Sequence, residues 1–568
     1  MMQAASGKSS THVLLSIYFY ICRLAASCIF ETVHIKALTA NYDMNIFIRS
    51  LISQCLVLKF YNRNGVNFML EYLKKEANRT YTENGAVTYA STGSECLDLF
   101  ATIGAMRNAS KTELIAKFMR AYIEDADTAM KLLFFARDIR GGLGERKIFR
   151  ILLRWLGMYK PQSARKNIEY VAEYGRFDDI LVLLDTPCEQ DALQFLKEQF
   201  ESDMEKLNTE EPVSLLGKWL PSINASNAQT IKTAKKIARA FGLRDAEYRK
   251  ALTALRARIQ ILENHLRERD YSFSYEKQPS RAMFKYRKAF LRNDEQRYQK
   301  FLENVSLGKA QLHADNISPY ELISPYIGYS WETDCFIHNM MPEEEQVLNT
   351  EWNALPNFCN DENALAVIDT SGSMYPKYLI GEHKAPMPGA VALSLGLYVA
   401  EHNTGAFHNH FIEFSETPQL IEIKGDTFAD RLRYVASFCE VANTNLEAVF
   451  GLVLDTAVKN RLPQKELPSK LIIISDMEFD CCMEDASSSN FEHAKRKYAL
   501  YGYHLPQVIF WNVNSKNRQQ PVTQNEQGVA LVSGVTPRLF SVVAGGNLSP
   551  YALMMDTLMS ERYAVITA

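Results

Sequence analysis

From Asn67 to about Ile327, apolar residues return every third or fourth position, the spacing that gives an α-helix one apolar stripe. KTELIAKFMRAYIED, DTAMKLLFFARDIR, ERKIFRILLRWLGMY and EQDALQFLKEQFESDMEKL are the clearest cases. The breaks between such runs carry helix-stopping chemistry: Gly141, Gly142 and Gly144 after Arg140, Lys160-Pro161 ahead of the next run, and Asp185-Thr186-Pro187 after LVLL. Helices joined by brief turns predict an antiparallel stack of helical pairs, an all-α domain over residues 67–330. No fixed period recurs, so a consensus solenoid is not expected.

The texture changes near Trp331. Residues 331–362, with WETDCFIHNMMPEEEQ, read as a connector, and from Asn363 to the end apolar strands alternate with helical runs. The predicted strands are 364–369 (ALAVID), 409–415 (NHFIEFS), 418–423 (PQLIEI), 471–476 (LIIISD), 507–513 (QVIFWNV) and 528–534 (GVALVSG). Between or after them lie PGAVALSLGLYVAEH, TFADRLRYVASF, TNLEAVFGLVLDTAVKN and SPYALMMDTLMSERY, all with helical texture. This alternation predicts an α/β domain over 363–568, a mainly parallel, doubly wound sheet covered on both faces. One short antiparallel edge strand is expected after Thr417-Pro418.

Composition narrows the class. At 568 residues, 47% hydrophobic and 23% charged, with 28 Tyr and 30 Phe, the chain is expected to fold into more than one globular domain. Ten cysteines with no CxxC pair and no metal-finger spacing favour a reducing, cytoplasmic setting. His12 to Phe30 is apolar enough to resemble a signal peptide or short membrane span, but Arg23 interrupts it. Residues 1–66 therefore read as an extension preceding the folded protein, with Met69 a natural start, and no membrane role is expected.

Candidate chemistry begins at LAVIDTSGSMYP. An apolar strand ends in Asp369, Ser371 and Ser373, and in an open parallel sheet ligands gather where strands give way to loops. One turn at that spacing can aim a carboxylate and two hydroxyls at a single hard cation, Mg2+ or Mn2+. Thr444, ahead of the run LEAVF, and Asp476, ending LIIISD, complete a five-oxygen set. Glu478 and Asp480 in SDMEFD are either supports for it or parts of a solvated loop. His402, His408 and His410 straddle a helix end and a strand start, and are read as core or surface histidines. No G-x-S-x-G elbow surrounds either serine, and two carboxylates leave no second metal for a nuclease. The expectation is a non-enzymatic protein.

These positions resemble the metal-ion-dependent adhesion site of the von Willebrand factor A domain, a doubly wound, Rossmann-like fold whose DxSxS, Thr and Asp positions match Asp369, Ser371, Ser373, Thr444 and Asp476. The resemblance implies Mg2+ held for recognition of a carboxylate.

Charge is uneven. Residues 231–300 hold 19 Lys plus Arg against 8 Asp plus Glu, or +11, while the whole chain is at −3, so the remainder carries −14. Aromatics lie among these cations (Phe241, Tyr248, Phe284, Tyr286, Phe290), as in single-stranded nucleic-acid binders, although aromatics turned into the core beneath solvated basic faces are the favoured reading of them. Helical repeats followed by an A domain resemble the TROVE or Ro proteins, HEAT-like helical binders of small noncoding and misfolded RNAs. The phrases SLLGKWLPSINAS (214–226), FARDIRGGLGERKIFR (135–150), EYVAEYGRFDDIL (169–181), PSRAMFKYRKAF (279–290) and ISDMEFD (474–480) are similar to a TROVE-related family known as domain of unknown function 2828. That resemblance implies an RNA-binding ribonucleoprotein scaffold, with Lys218, Arg281, Lys285, Arg287, Lys288 and Arg292 as phosphate contacts. The alternative is a metal-dependent protein–protein interaction module in which the ion captures a partner's carboxylate. The partner's identity, and whether the helices close into a ring, are not in the sequence.

Overall fold

The computed structural model describes residues 68–329, 335–359, 363–375, 386–438, 444–480, 489–515, 519–545 and 548–568. The chain divides into two compact units, Met1–Arg79 and Thr80–Ala568. The first contributes the described helix Phe68–Ala77; the apolar stretch from His12 to Phe30 and the expected extension over 1–66 lie outside the described residues.

In the second unit the four amphipathic runs form helices Lys111–Glu124, Ala126–Arg137, Arg146–Tyr159 and Glu189–Lys206. Ser110 and Asp125 cap the first two by accepting the N–H groups of Glu113 and Thr128, which satisfies donors that a helix start leaves open. The glycines after Arg140 make a tight turn. A Cβ on Gly142 would sit 2.0 Å from the Phe135 carbonyl oxygen, and Gly144 has φ +71°, a left-handed conformation glycine adopts freely.

Six strands form one sheet: β1 (Ala364–Asp369), β2 (His410–Phe414), β3 (Gln419–Glu422), β4 (Lys470–Ser475), β5 (Gln507–Asn512) and β6 (Val529–Ser533). Every strand end falls within a residue of the span the pattern predicts. The order is β6-β5-β4-β1-β2-β3. All neighbours run parallel except β2 and β3, which pair antiparallel at the edge.

Period-two alternation decides which core each side chain enters. Ala366 and Ile368 of β1, with Ile472 and Ile474 of β4, join a core that also contains Leu97, Phe134 and Leu153 of the helical half. Leu365, Val367, Leu471 and Ile473 point the other way, onto helices Leu446–Asn460 and Asn490–Leu500. The helical half therefore supplies part of the cover for one sheet face, so the two halves share a core. Where helix Glu95–Ile103 meets β6, Gly104 donates its N–H to Ser533 Oγ at 3.0 Å.

Among the described residues, two helices of more than ten residues escape the sequence pattern. Pro342–Asn353 lies in the segment read as a connector; its apolar face is narrow and follows three consecutive glutamates, yet Trp352 stacks on Phe428 with ring centroids 3.7 Å apart. Asn490–Leu500 starts at the cap Ser489, and the sequence pattern does not single it out. No helix among the described residues is long and apolar enough to cross a membrane.

Candidate metal centre and basic surfaces

The strand order reverses between β1 and β4, the switch point at which doubly wound sheets open a crevice. β1 ends there in Asp369. β4 ends in Ser475, and Asp476 follows. The register that pairs Ile368 with Ile474 sets these ends side by side. Both carboxylates are buried, Asp369 at 1% and Asp476 at 2% exposure.

Asp369 Oδ1 accepts the N–H of Ser371 at 2.9 Å, and Oδ2 accepts the Ser475 hydroxyl at 2.5 Å. Ser371 Oγ and Ser373 Oγ lie 3.1 Å apart. Burial, and then the charge of Asp476, push the Asp369 carboxyl up to about 7 against the opposing hydrogen bonds of Ser475 and Ser371. A buried carboxylate beside a second negative charge is costly to ionise, and a cation between the two would remove that cost.

The structure thus brings Asp369, Ser371, Ser373 and Asp476 together. Thr444 is 1% exposed and is held by the loop that Asp476 begins: its hydroxyl donates to the Glu478 carbonyl at 3.2 Å, and its own carbonyl accepts the Asp480 N–H at 3.0 Å. Met477 turns this loop with φ +69°. Among the described residues no three His, Cys, Asp or Glu side chains gather as a metal cluster. The three histidines bond backbone carbonyls instead, His402 to Tyr398, His408 to Asn403 and His410 to His408.

Two supporting residues escape the sequence pattern. Ser475 bonds Asp369 directly. Glu413, 4% exposed, accepts the Thr370 hydroxyl at 2.8 Å; a glutamate inside the apolar strand HFIEF was the available signal. Of the two readings open for Glu478, the structure takes the support: the residue is buried, not solvated. Its carboxylate accepts Glu83 N–H at 2.8 Å and Gln519 Nε2 at 2.7 Å, while its carbonyl accepts Asn84 Nδ2 at 2.7 Å. Thr82 donates to the next carbonyl, that of Phe479. Residues 82–84 thus brace the loop from more than 390 positions away.

The expected phosphate contacts divide. Lys285 and Arg292 are exposed on helix Ser280–Asn293. Arg281 pairs with Glu321 at 2.8 Å and Lys288 with Glu344 at 2.9 Å. Lys218 is half-buried, 5.5 Å from the Trp219 ring centroid. Arg287 is not a phosphate contact: with Met283 and Phe290 it occupies the helix's inward face at 8% exposure, its guanidinium 4.0 Å over the Phe284 ring, because positions 283, 287 and 290 share one helical stripe. Phe241, Tyr248 and Phe290 follow the packing reading and are buried, while Phe284 and Tyr286 are half-buried.

Comparison with known proteins adds four findings. Residues 82–192 and 191–365 match the family described as Domain of unknown function (DUF2828), and residues 363–549 match Domain of unknown function (DUF7788). The "Uncharacterized protein L728" of Acanthamoeba polyphaga mimivirus is 29% identical over 524 residues, 85% of this chain and 87% of that protein. The crystal structure of the Deinococcus radiodurans RO (RSR) protein is similar at a TM-score of 0.38 and 14% identity, covering 84% of this chain and 95% of that one.

Proposed function

This chain belongs to the family described as Domain of unknown function (DUF2828), and from the geometry it places on that scaffold we propose a non-enzymatic RNA-binding protein with a divalent cation at the switch point of its sheet. The observation that carries the cation is the pair of buried, adjacent strand-end carboxylates, Asp369 and Asp476, with the Ser371 and Ser373 hydroxyls beside them. That donor set suits Mg2+ or Mn2+, hard ions that take carboxylates, hydroxyls and water. Thr444, hydrogen-bonded to the loop that Asp476 begins, is the fifth donor of this reading. The parallel order, the antiparallel edge strand and the DxSxS turn support reading this half as a von Willebrand A domain with an adhesion-type site. The ion supplies a fixed positive charge for recognition.

RNA binding on the helical half is supported by the +11 of residues 231–300 and by its exposed cations, among them Arg239, Arg249, Lys285 and Arg292. A second reading draws on a specific observation: Arg281 and Lys288 are occupied by carboxylates of neighbouring elements, which favours a metal-dependent protein interaction module. One pair of variants separates them. Lys285→Glu with Arg292→Glu should weaken RNA binding several-fold and lower its salt dependence by roughly one unit of log-log slope for each phosphate no longer neutralised. Asp369→Asn should leave RNA binding intact and abolish the Mg2+-induced rise in melting temperature. Salt-independent RNA binding that ignores the double reversal would leave the protein-interaction reading in its place.

A further inference from the structure

Three of the segments that carry the family resemblance converge on one cluster of arginines outside the basic region. Arg137, Arg146 and Arg150 come from 135–150, Arg176, Asp178 and Asp179 from 169–181, and Trp219 from 214–226. Four guanidinium groups surround two carboxylates. Asp179, fully buried, binds Arg137 at 2.8 Å and Arg150 at 2.5 Å. Asp178 Oδ2 has three arginine nitrogens around it: Arg146 Nη2 at 2.5 Å, Arg150 Nη2 at 2.7 Å and Arg176 Nη2 at 3.0 Å. A carboxylate oxygen offers about two lone pairs, so this acceptor is oversubscribed. The nearby Glu145 is taken by Arg107 at 2.7 Å. The cluster therefore keeps a surplus of two positive charges and more donors than acceptors.

The surplus faces outward. Arg146, Arg150 and Arg176 have side chains 44%, 26% and 23% exposed, whereas Arg137 is at 2%. Arg176 is fixed in place by the Trp219 ring, whose centroid lies 3.7 Å from its guanidinium carbon, a stacking that orients the fork. Burial, together with the charges of Arg150 and Arg176 and against the attraction of Asp178, lowers the pKa of Arg146. Repulsion among three preoriented forks is stored in the folded state, and an anion with several acceptor oxygens would relieve it.

We infer that Arg146, Arg150 and Arg176 form an anion site for a phosphate group, with Asp178 drawing the three guanidinium groups together around one oxygen. The phosphate comes either from a nucleic-acid backbone, as a diester, or from a phosphorylated chain end, as a monoester. The site is independent of the cation at the sheet, and it stands or falls separately from RNA binding at residues 231–300.

The test uses the full chain. Inorganic phosphate at millimolar concentration should raise the melting temperature by several degrees over chloride at matched ionic strength. Arg146→Gln should lose that shift, and Arg176→Lys, which keeps the charge without the fork, should weaken phosphate binding several-fold. If Arg146→Gln does not fold, the wild-type titration and Arg176→Lys still decide. A wild-type protein no more stabilised by phosphate than by chloride overturns the site, as does an Arg146→Gln variant that keeps the full shift. Oligoribonucleotides with 5′-phosphate and 5′-hydroxyl ends distinguish the sources: equal loss of affinity in Arg146→Gln assigns a backbone diester, and loss confined to the 5′-phosphate assigns the chain end. A phosphate shift without any RNA binding overturns both sources, and with them the RNA reading.

Discussion

At Glu351 charge and packing are at odds. It lies at 1% exposure on helix Pro342–Asn353, and its Oε2 has no hydrogen-bond partner among the described residues. Burial pushes its carboxyl up to about 8, with Arg287 pulling the other way. The native state therefore holds a proton that the unfolded chain, with an ordinary glutamate near 4.5, releases. Between roughly pH 4.5 and 8 the native state binds more protons, so this group's contribution to stability falls as pH rises, by at most about 1.4 kcal/mol per pH unit. Glu351→Gln removes the titration. The variant should match wild type near pH 5 and become the more stable protein near pH 8.5, measured by denaturant unfolding at both values. Parallel stability curves would mean that Glu351 is ionised beside Arg287 throughout.

At the scale of elements, the contact between helix Glu95–Ile103 and β6 leaves no room for a side chain. A Cβ on Gly104 would lie 2.2 Å from the Ser533 carbonyl oxygen and 2.8 Å from Gly534 Cα, both backbone atoms. Gly104 has φ −70°, so alanine there meets no dihedral strain; the cost is steric, and overpacking of this kind destabilises by about 1–3 kcal/mol or more. Gly104→Ala should lower the melting temperature by several degrees while keeping the helical and strand signals in circular dichroism. A neutral substitution would mean that the helix slides on the sheet. The sequence shows a glycine here but not its neighbour, because the partner strand lies more than 420 positions away. The same distance rule separates what was legible from what was not. The six strands and the amphipathic helices follow from local periodicity, and Asp369, Ser371, Ser373 and Asp476 follow from strand ends. Hidden were the contacts set by tertiary packing: Glu478 braced by residues 82–84, Ser475 aimed at Asp369, and Arg287 turned inward on a helix that spreads its cations around several faces.

The whole second unit behaves as one body because its last residues return to its first helices. Arg562 binds both oxygens of the fully buried Asp138, with Arg562 Nη2 at 2.7 Å from Oδ1, and Tyr563 OH donates to the same carboxylate at 3.0 Å. Asn167 donates to the Thr567 carbonyl at 2.6 Å and accepts its N–H at 3.3 Å. Burial raises the pKa of Asp138, yet the hydrogen bonds from Arg562 and the Arg140 and Gly141 backbone, with the Arg562 charge, outweigh it and hold the carboxyl below its usual range. Arg562→Met would leave a buried carboxylate with its hydroxyl and backbone donors and only the charge of Arg538, which bonds backbone carbonyls instead of Asp138, a loss toward the lower end of roughly 3–5 kcal/mol. Since helices and sheet also share a core, that loss should shift a single unfolding transition and not split it. Fluorescence of Trp155 in the helical half and of Trp511 in β5, each followed in a variant retaining only that tryptophan, should report the same lowered midpoint. Two separated midpoints would show that the shared core couples the halves less strongly than this tie between chain end and helix does.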